Sequence, residues 1–232
     1  MKNQILHIAA VTVLILGLVS CNKFDDQTNE NSNNSNTPNT LVDTTTTDPV
    51  SQGEWIDLGL PSGLLWYSVN LGASSPSVVG DKYAWGETWT KTTFNWSTYI
   101  YGSRDNITKY NTDDGLTTLE AGDDAATVII GDGARIPTKN EWQEMIDNTR
   151  VDWTSLNGVY GRMFTSITNG KSLFLPSIDN YLYGDKRGYY WTASRSGTRY
   201  NAYYFLFNND SQYFSEQERC QGFSIRAVRS AQ

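Results

Sequence analysis

Histidine is almost missing from this chain. The one histidine in 232 residues is His7, inside an N-terminal apolar run. Beyond that run there is no imidazole, the commonest general base and a common metal ligand near neutral pH. A Ser-His hydrolase and a histidine zinc site are therefore excluded, and the chain reads as non-enzymatic. Cysteine is nearly as scarce, with Cys21 and Cys220 alone. If Cys21 is used at a membrane, no intrachain disulfide remains, and the fold must hold through its core. With no imidazole to activate it, Cys220 reads as a small buried hydrophobe. Positive charge is also short: 18 Lys and Arg stand against 25 Asp and Glu, a formal charge of −7, and no dense basic cluster offsets it. Nucleic acid is a poor partner for such a surface. Gly131-Asp132-Gly133 lacks the lysine and glycine spacing of a phosphate loop and reads as a turn. Asp57, Asp81 and Glu87 read as turn or strand-edge residues, and no two carboxylates pair as acid and base. No repeat of 20–50 residues is present.

The N-terminus has a clear organisation. Lys2 precedes an apolar run from Ile5 to Val19, shorter than the roughly 20 residues a spanning helix needs. Length and flanks fit a secretory signal peptide over residues 1–20. The run ends Leu18-Val19-Ser20-Cys21, which resembles the lipobox of bacterial lipoproteins. The resemblance implies cleavage before Cys21, diacylglycerol on its thiol and several acyl chains in all, palmitate among them. Several chains matter, because one alone gives only marginal membrane binding. Cleavage would also remove Lys2 and leave the chain one unit more negative. Residues 21–52 then form the lipidated cysteine and a tether. Its Asn, Thr, Ser and Asp cannot bury enough surface to offset ordering entropy, so a disordered, flexible linker is expected. Asp25-Asp26 resembles the acidic export signals of Bacteroidetes surface lipoproteins, with a solvated tether charge as the competing reading. The Thr44–Thr47 run after Asp43 could carry O-linked sugar, but its composition alone makes it a tether.

From Trp55 the composition turns to aromatics, glycines and alternating apolar residues, and residues 53–232 read as one domain. Ile56, Leu58 and Leu60 alternate as in a half-buried strand. Leu60-Pro61-Ser62-Gly63 suits a type I turn, returning as a strand over Leu64 to Leu71. Asn157-Gly158 separates Val151–Ser155 from Val159–Ser166, and Asn169-Gly170 separates that run from Ser172–Leu175. Both pairs supply the positive φ angles of two-residue hairpins. Further strands are expected at Tyr189–Ser194, Tyr203–Asn208 and Phe223–Val228. Thr138-Lys139-Asn140-Glu141 is a capping box, followed by Trp142, Met145 and Ile146 on one helical face. A second short helix is expected near Asp123, whose carboxylate suits a helix N-terminus. Strands with two segregated helices predict an α+β domain.

An ordered set of segments carries a family resemblance. It runs Trp55-Ile56-Asp57-Leu58-Gly59-Leu60-Pro61-Ser62-Gly63 to Trp66, Tyr83-Ala84-Trp85-Gly86-Glu87, and Asp123-Asp124-Ala125-Ala126. It continues with Arg135-Ile136-Pro137-Thr138 before Glu141-Trp142, Tyr190-Trp191-Thr192-Ala193-Ser194, and Gly222-Phe223-Ser224-Ile225-Arg226-Ala227-Val228. In that order these resemble the Fibrobacter succinogenes major paralogous domain of Bacteroidetes-type surface lipoproteins, across essentially all of residues 55–228. The Arg-Ile-Pro-Thr and Gly-Phe-Ser-Ile-Arg pieces are also similar to the wider formylglycine-generating-enzyme and C-type-lectin-like fold group. The resemblance implies a C-type-lectin-like fold: antiparallel hairpins, two short helices and a disordered tether before them. Fold alone does not deliver function. The enzymes of that group bind copper through a cysteine pair, which this domain lacks.

The stretch Tyr189–Arg219 is the most suggestive for ligand contact. Tyr190, Arg195, Arg199, Tyr200, Asn201, Tyr203, Asn209, Asp210 and Tyr213 are candidate ligand-binding residues; Tyr204 and Asn208 share their chemistry. Tyrosine offers rigid amphipathic area while Asn and Ser adapt their hydrogen bonds. In lectin-like proteins diversified by retroelements, the segment before the last strand carries the variable residues, and this stretch sits there. The competing reading makes Tyr203, Phe205 and Phe207, or Tyr204 and Leu206, alternating core residues. Trp89, Trp96 and Tyr99 either join the surface or anchor loops. Asp113-Asp114 and Asp123-Asp124 offer oxygens of the kind calcium takes, yet neither pair has the spacing of a known calcium loop. No cofactor is therefore expected. Capping or turn charge is the competing reading. The expectation is a surface lipoprotein of the outer membrane, lipid-anchored in the cell envelope, that binds a glycan or a surface protein. The alternative is a minor, non-catalytic assembly component of an appendage or envelope complex.

Overall fold

The computed structural model describes residues 53–180 and 184–231. The signal segment 1–20, lipidation at Cys21 and the tether 21–52 lie outside the described residues.

Ten strands and two short helices follow in order. They are β1 (Trp55–Asp57), β2 (Leu64–Asn70), α1 (Ala125–Ile130), α2 (Lys139–Asp147), β3 (Thr149–Leu156), β4 (Val159–Ser166) and β5 (Ser172–Pro176). Then come β6 (Ile178–Asn180), β7 (Asp185–Arg195), β8 (Asn201–Phe207), β9 (Gln212–Glu218) and β10 (Arg226–Ser230). They form three antiparallel sheets in the orders β1-β2-β10, β3-β4-β5 and β6-β7-β8-β9. This corrects the sequence expectation. The domain is mostly antiparallel β, not an α+β domain of C-type-lectin-like type. Both helix signals are real but short-lived. Helix α1 runs six residues and stops at Gly131, whose φ is 69°; α2 runs nine and stops at Asn148 before the β-branched start of β3. The strands meanwhile outgrow the pattern. Strand β7 spans eleven residues, and the polar β9, with Ser, Gln and Glu alternating along an edge, carries no apolar periodicity to announce it.

Local chemistry explains the joints. At the first turn the Gly63 amide donates to Leu60 O at 2.9 Å. Asn157 and Gly158 have φ of 51° and 81°, as a two-residue primed turn requires. The second Asn-Gly pair behaves differently. Only Gly170 has positive φ, at 74°, and the Gly170 amide donates to Ser166 O at 3.1 Å across a longer loop. The Ser166 hydroxyl accepts from the amides of Thr168 and Asn169, both at 3.1 Å, and so competes with the shorter turn. The capping box forms: the Glu141 amide donates to Thr138 Oγ1 at 3.3 Å and the Thr138 amide to Glu141 Oε2 at 2.8 Å. The cap of α1 is Asp124, one residue past the expected position, accepting from the Thr127 amide at 3.0 Å.

Trp66, Trp142, Phe164, Tyr190, Phe205 and Phe207 pack into the largest core. Strand β8 is buried on both sides. Phe205 and Phe207 enter that core, while Ala202, Tyr204 and Leu206 enter a second one with Trp85, Tyr110 and Trp191. Phe205, Phe207, Tyr204 and Leu206 are therefore all core, though Tyr203 is only half-buried, because helix α2 and the β3–β5 sheet cover one face and the 83–119 region the other.

At the meeting of the sheets lies a fully buried cation. Arg226 Nε donates to Asn70 Oδ1 at 2.9 Å, Nη1 to Tyr67 O at 2.9 Å and Nη2 to Phe174 O at 3.0 Å. The Tyr190 hydroxyl donates to Pro176 O at 2.9 Å and accepts from Asn70 Nδ2 at 3.1 Å. Among the described residues no carboxylate pairs with the guanidinium, and burial holds Arg226 down at about 10. Its donors instead satisfy oxygens from β2 and β5 that would otherwise be buried unpaired.

Two outcomes follow. Arg226→Lys keeps the charge but cannot span three acceptors, so urea unfolding should show a loss on the order of 3 kcal/mol; an unchanged midpoint would contradict the joint. Glu141 gives a pH test. Burial would raise its carboxyl, but the Arg135 fork and the Thr138 bonds outweigh it and hold it below the usual range. Its contribution is thus present above the ordinary glutamate value of about 4.3 and lost as pH falls through the lower folded value. The stability gap between the native chain and Glu141→Gln should shrink on acidification below that point; a gap constant with pH would contradict it.

Candidate functional site

The register of β7 to β9 decides which side chains can meet a ligand. Tyr189 lies across from Leu206, and Leu206 from Tyr213; Trp191 lies across from Tyr204, and Tyr204 from Ser215. Because strand side chains alternate faces, Arg187, Tyr189, Tyr204, Tyr213 and Ser215 share one face. The rings of Tyr189 and Tyr204 stack with centroids 6.2 Å apart. Phe223 lies under both, at 5.3 Å and 4.9 Å. Burial pushes the Tyr204 hydroxyl up; Ser215 bonds it, and Tyr213, Tyr189 and Arg187 lie close enough to act on it. Arg187 Nε donates to both Asp185 oxygens at 2.9 Å, which fixes the guanidinium beside the tyrosines. Tyr213 is 49 % exposed on the edge strand. The accessible part of the face is Tyr213 with half-buried Tyr189 and Arg187, while Tyr204 itself is buried in the second core.

Tyr190 is corrected from ligand contact to core. It is fully buried and hydrogen-bonded to Pro176 and Asn70. Parity explains the reversal. A Cβ on Gly188 would fall 2.1 Å from the Phe207 ring, so the Gly188–Tyr190 side packs inward and Tyr189 faces the other way. Tyr189 and Arg187 are the residues sequence reasoning left out of the site, and the glycine two positions before Tyr190 was the available signal.

The other candidates do not converge. Arg195 Nη1 donates to Asn111 O at 2.6 Å, Arg199 Nη2 donates to Asp105 O, and Arg104 lies 4.1 Å over the Tyr200 ring. That end of the sheet holds down the irregular 87–112 stretch. Asn201 begins β8 there, with its side-chain oxygen buried. Asn209 and Asp210 sit in the turn at the other end of β8, where Arg162 Nε donates to Asn208 O at 3.0 Å and Nη2 to Asn209 O at 3.3 Å. A seven-residue strand at about 3.3 Å per residue separates the two groups by roughly 20 Å. Tyr203 lies on the opposite face, beneath Lys139 Nζ at 4.1 Å. Of the expected set, Tyr213 alone belongs to the tyrosine face.

The remaining features resolve as packing. Tyr99 is buried and donates to Trp85 O at 2.8 Å. Trp96 Nε1 donates to Glu218 Oε2 at 3.1 Å, and Trp89 is exposed. Glu87 is a buried ion-pair partner of Lys91 at 2.6 Å rather than an edge residue. Cys220 is buried, and burial pushes its thiol up to about 11. The proposed calcium oxygens are engaged. Asp114 accepts from the Leu116 amide at 2.9 Å, Asp123 from Lys109 Nζ at 2.6 Å, and Asp124 from the Ile136 amide at 2.8 Å. Among the described residues no three His, Cys, Asp or Glu side chains group to hold a metal.

Tyr190→Phe should therefore cost about 1–3 kcal/mol in urea unfolding, from two lost buried hydrogen bonds, without altering any ligand affinity. Impaired binding in folded Tyr190→Phe would contradict its place in the core. Compared with known proteins, the chain matches no family model, no curated protein and no solved structure.

Proposed function

We propose that the protein is a membrane-tethered binding module of the bacterial envelope. A lipid on Cys21 anchors it, residues 22–52 hold the domain off the outer membrane, and the tyrosine face of β7–β9 meets a glycan or protein ligand outside the cell. The observation that carries this reading is the placement of exposed Tyr213 and half-buried Tyr189 and Arg187 on one sheet face, with Tyr189 stacked on the buried Tyr204 ring. Tyrosine and arginine are the residues on which binding energy concentrates, and a ring already held by its neighbours gives up little entropy on binding.

Position supports the same reading. Phe223–Ile225 lead from β10 to β7, with the Trp191 amide donating to Ser224 O at 3.1 Å. The strand order across the joint is thus β1, β2, β10, β7, β8, β9. Residue 53, where the tether joins, precedes β1, and Tyr213 stands on β9 at the far edge. Five strand spacings separate them, on the order of 20 Å. The ordered segments that resemble the major paralogous domain of surface lipoproteins support the same placement.

The test presents the whole chain, solubilised in detergent, to a glycan array and, by crosslinking, to surface proteins of intact cells. Tyr213→Ala and Tyr189→Ala should each weaken the ligand found by about tenfold while leaving the unfolding midpoint of Tyr213→Ala near the native one. A ligand held equally well by both variants would overturn the assignment of this face.

A further inference from the structure

The space between the β3–β5 sheet and the β6–β9 sheet is filled along most of its length by the main core. At one end it opens into a cleft of about 690 Å³, within the range of small-ligand sites. Four separate stretches line it, contributing Ser77 and Val78, Tyr160, Ser177 and Asp179, and Lys186. It lies on the Gly188 side of β7, opposite the tyrosine face, so it is a different surface.

Tyr160 is the unusual residue. Alternation along β4 puts it on the same face as Arg162 and Phe164, both buried. It occupies a core register, yet its side chain is 46 % exposed. It is held firmly there. Its ring lies nearly parallel to Trp153, with centroids 6.1 Å apart and planes 14° apart, and Trp153 meets Phe207 edge-on at 6.4 Å. Val78 beside it is 41 % exposed. Large apolar groups left open in a concave wall, rather than scattered on a convex surface, mark a site that something covers.

The rim is polar in a particular way. Lys186 Nζ stands 5.7 Å from the Tyr160 ring centroid and donates to Asp179 Oδ1. Both partners are solvent-exposed, so the ion pair contributes little and its hydrogen bonds exchange readily. The Ser77 hydroxyl meets Asn157 Nδ2 at 3.4 Å and Ser75 Oγ at 3.3 Å, the Ser177 hydroxyl donates to Tyr160 O at 2.7 Å, and both serines are set back in the wall. The wall therefore offers one flat ring, one carboxylate acceptor and one ammonium donor, all carried on or beside strands.

We propose that this cleft is a subsite for one pyranose ring of a glycan. A pyranose has an electropositive C–H face that suits the negative face of an aromatic ring, and a girdle of hydroxyls that each donate and accept. The C–H face would meet Tyr160, and the hydroxyls would bond Asp179 and Lys186. The other ligand classes fit worse. A wholly apolar ligand would dry out Asp179 and Lys186 without replacing their hydrogen bonds. Nucleic acid needs several cations for its phosphates, and the wall holds one lysine beside a carboxylate.

The test is ligand-observed saturation-transfer NMR on the whole chain in detergent. The probes are the methyl glycosides of glucose, galactose, mannose and N-acetylglucosamine and their common disaccharides. At least one should receive saturation, strongest at its ring C–H protons. Its affinity should fall about tenfold or more in Tyr160→Ala and in the Asp179→Asn, Lys186→Gln double variant, and stay unchanged in Ile167→Ala, an exposed residue that belongs to neither surface. Tyr160 is half exposed, so its truncation should leave a folded protein, verified by the unfolding midpoint. Binding that survives Tyr160→Ala but vanishes in Tyr213→Ala would overturn the cleft and leave the tyrosine face standing. Failure of every glycoside to bind would also overturn the cleft, and would leave a protein ligand for that face.

Discussion

A buried guanidinium without a carboxylate is the constraint on which this structure depends. Taking Arg226 out of water is costly, and no opposite charge among the described residues repays it. What repays it is geometry. The planar fork reaches backbone oxygens on β2 and β5 and the Asn70 amide at the end of β2, while Tyr190 ties β7 to the last residue of β5. One side chain thereby satisfies acceptors from separate sheets at the place where no continuous ladder can satisfy them. A lysine has the charge but not the span, and an apolar residue has neither.

The consequences run outward from that joint. Because Phe223–Ile225 pass beside β7 just before Arg226, the β1–β2–β10 sheet and the β6–β9 sheet meet there, and β8 acquires a core on each side. Once β8 is buried on both faces, side chains can reach solvent only at the sheet's outer edge and open ends. The exposed Tyr213 of the tyrosine face stands on the edge strand, and the Tyr160 cleft occupies one end. Two further buried arginines repeat the device on a smaller scale. Arg219 donates to the carbonyls of Asn201, Lys109 and Tyr110, and Arg162 holds the β8–β9 turn. Irregular backbone is thus pinned by forks of donors rather than by disulfides, in a chain whose described cysteine is buried and alone.

Much of this was legible in the sequence, and the failures have physical causes. The capping box at Thr138, the primed turn at Asn157-Gly158 and the hairpins around it depend on neighbours only, so local chemistry suffices to find them. The fold class depended on relative lengths. Strand β9 has few apolar residues because only one edge of it is paired, so periodicity passed over it, and the helices looked more important than they are. The candidate site failed in a more specific way. Its vocabulary of Tyr, Asn and Arg pointed to this stretch, but vocabulary carries no parity. Tyr189 and Tyr190 differ by one position and end on opposite faces, and only the packing of Phe207 on Gly188 separates them. Arg195 and Arg199 were spent on the 87–112 stretch, a contact across about ninety residues that no local pattern encodes. Tyr160 was read simply as part of a hairpin strand.

The central claim is that the sheets are locked together at Arg226 and that the proposed ligand surfaces are rigid because of it. Native-state amide hydrogen exchange on the whole chain tests it most directly. The amides of Trp191 and Ser224, each donating across the joint, should exchange only through global unfolding, with the slowest rates in the domain. If those amides instead exchanged as fast as the exposed turn at residues 208–211, the joint would open independently of the fold, and the account would be wrong at its base.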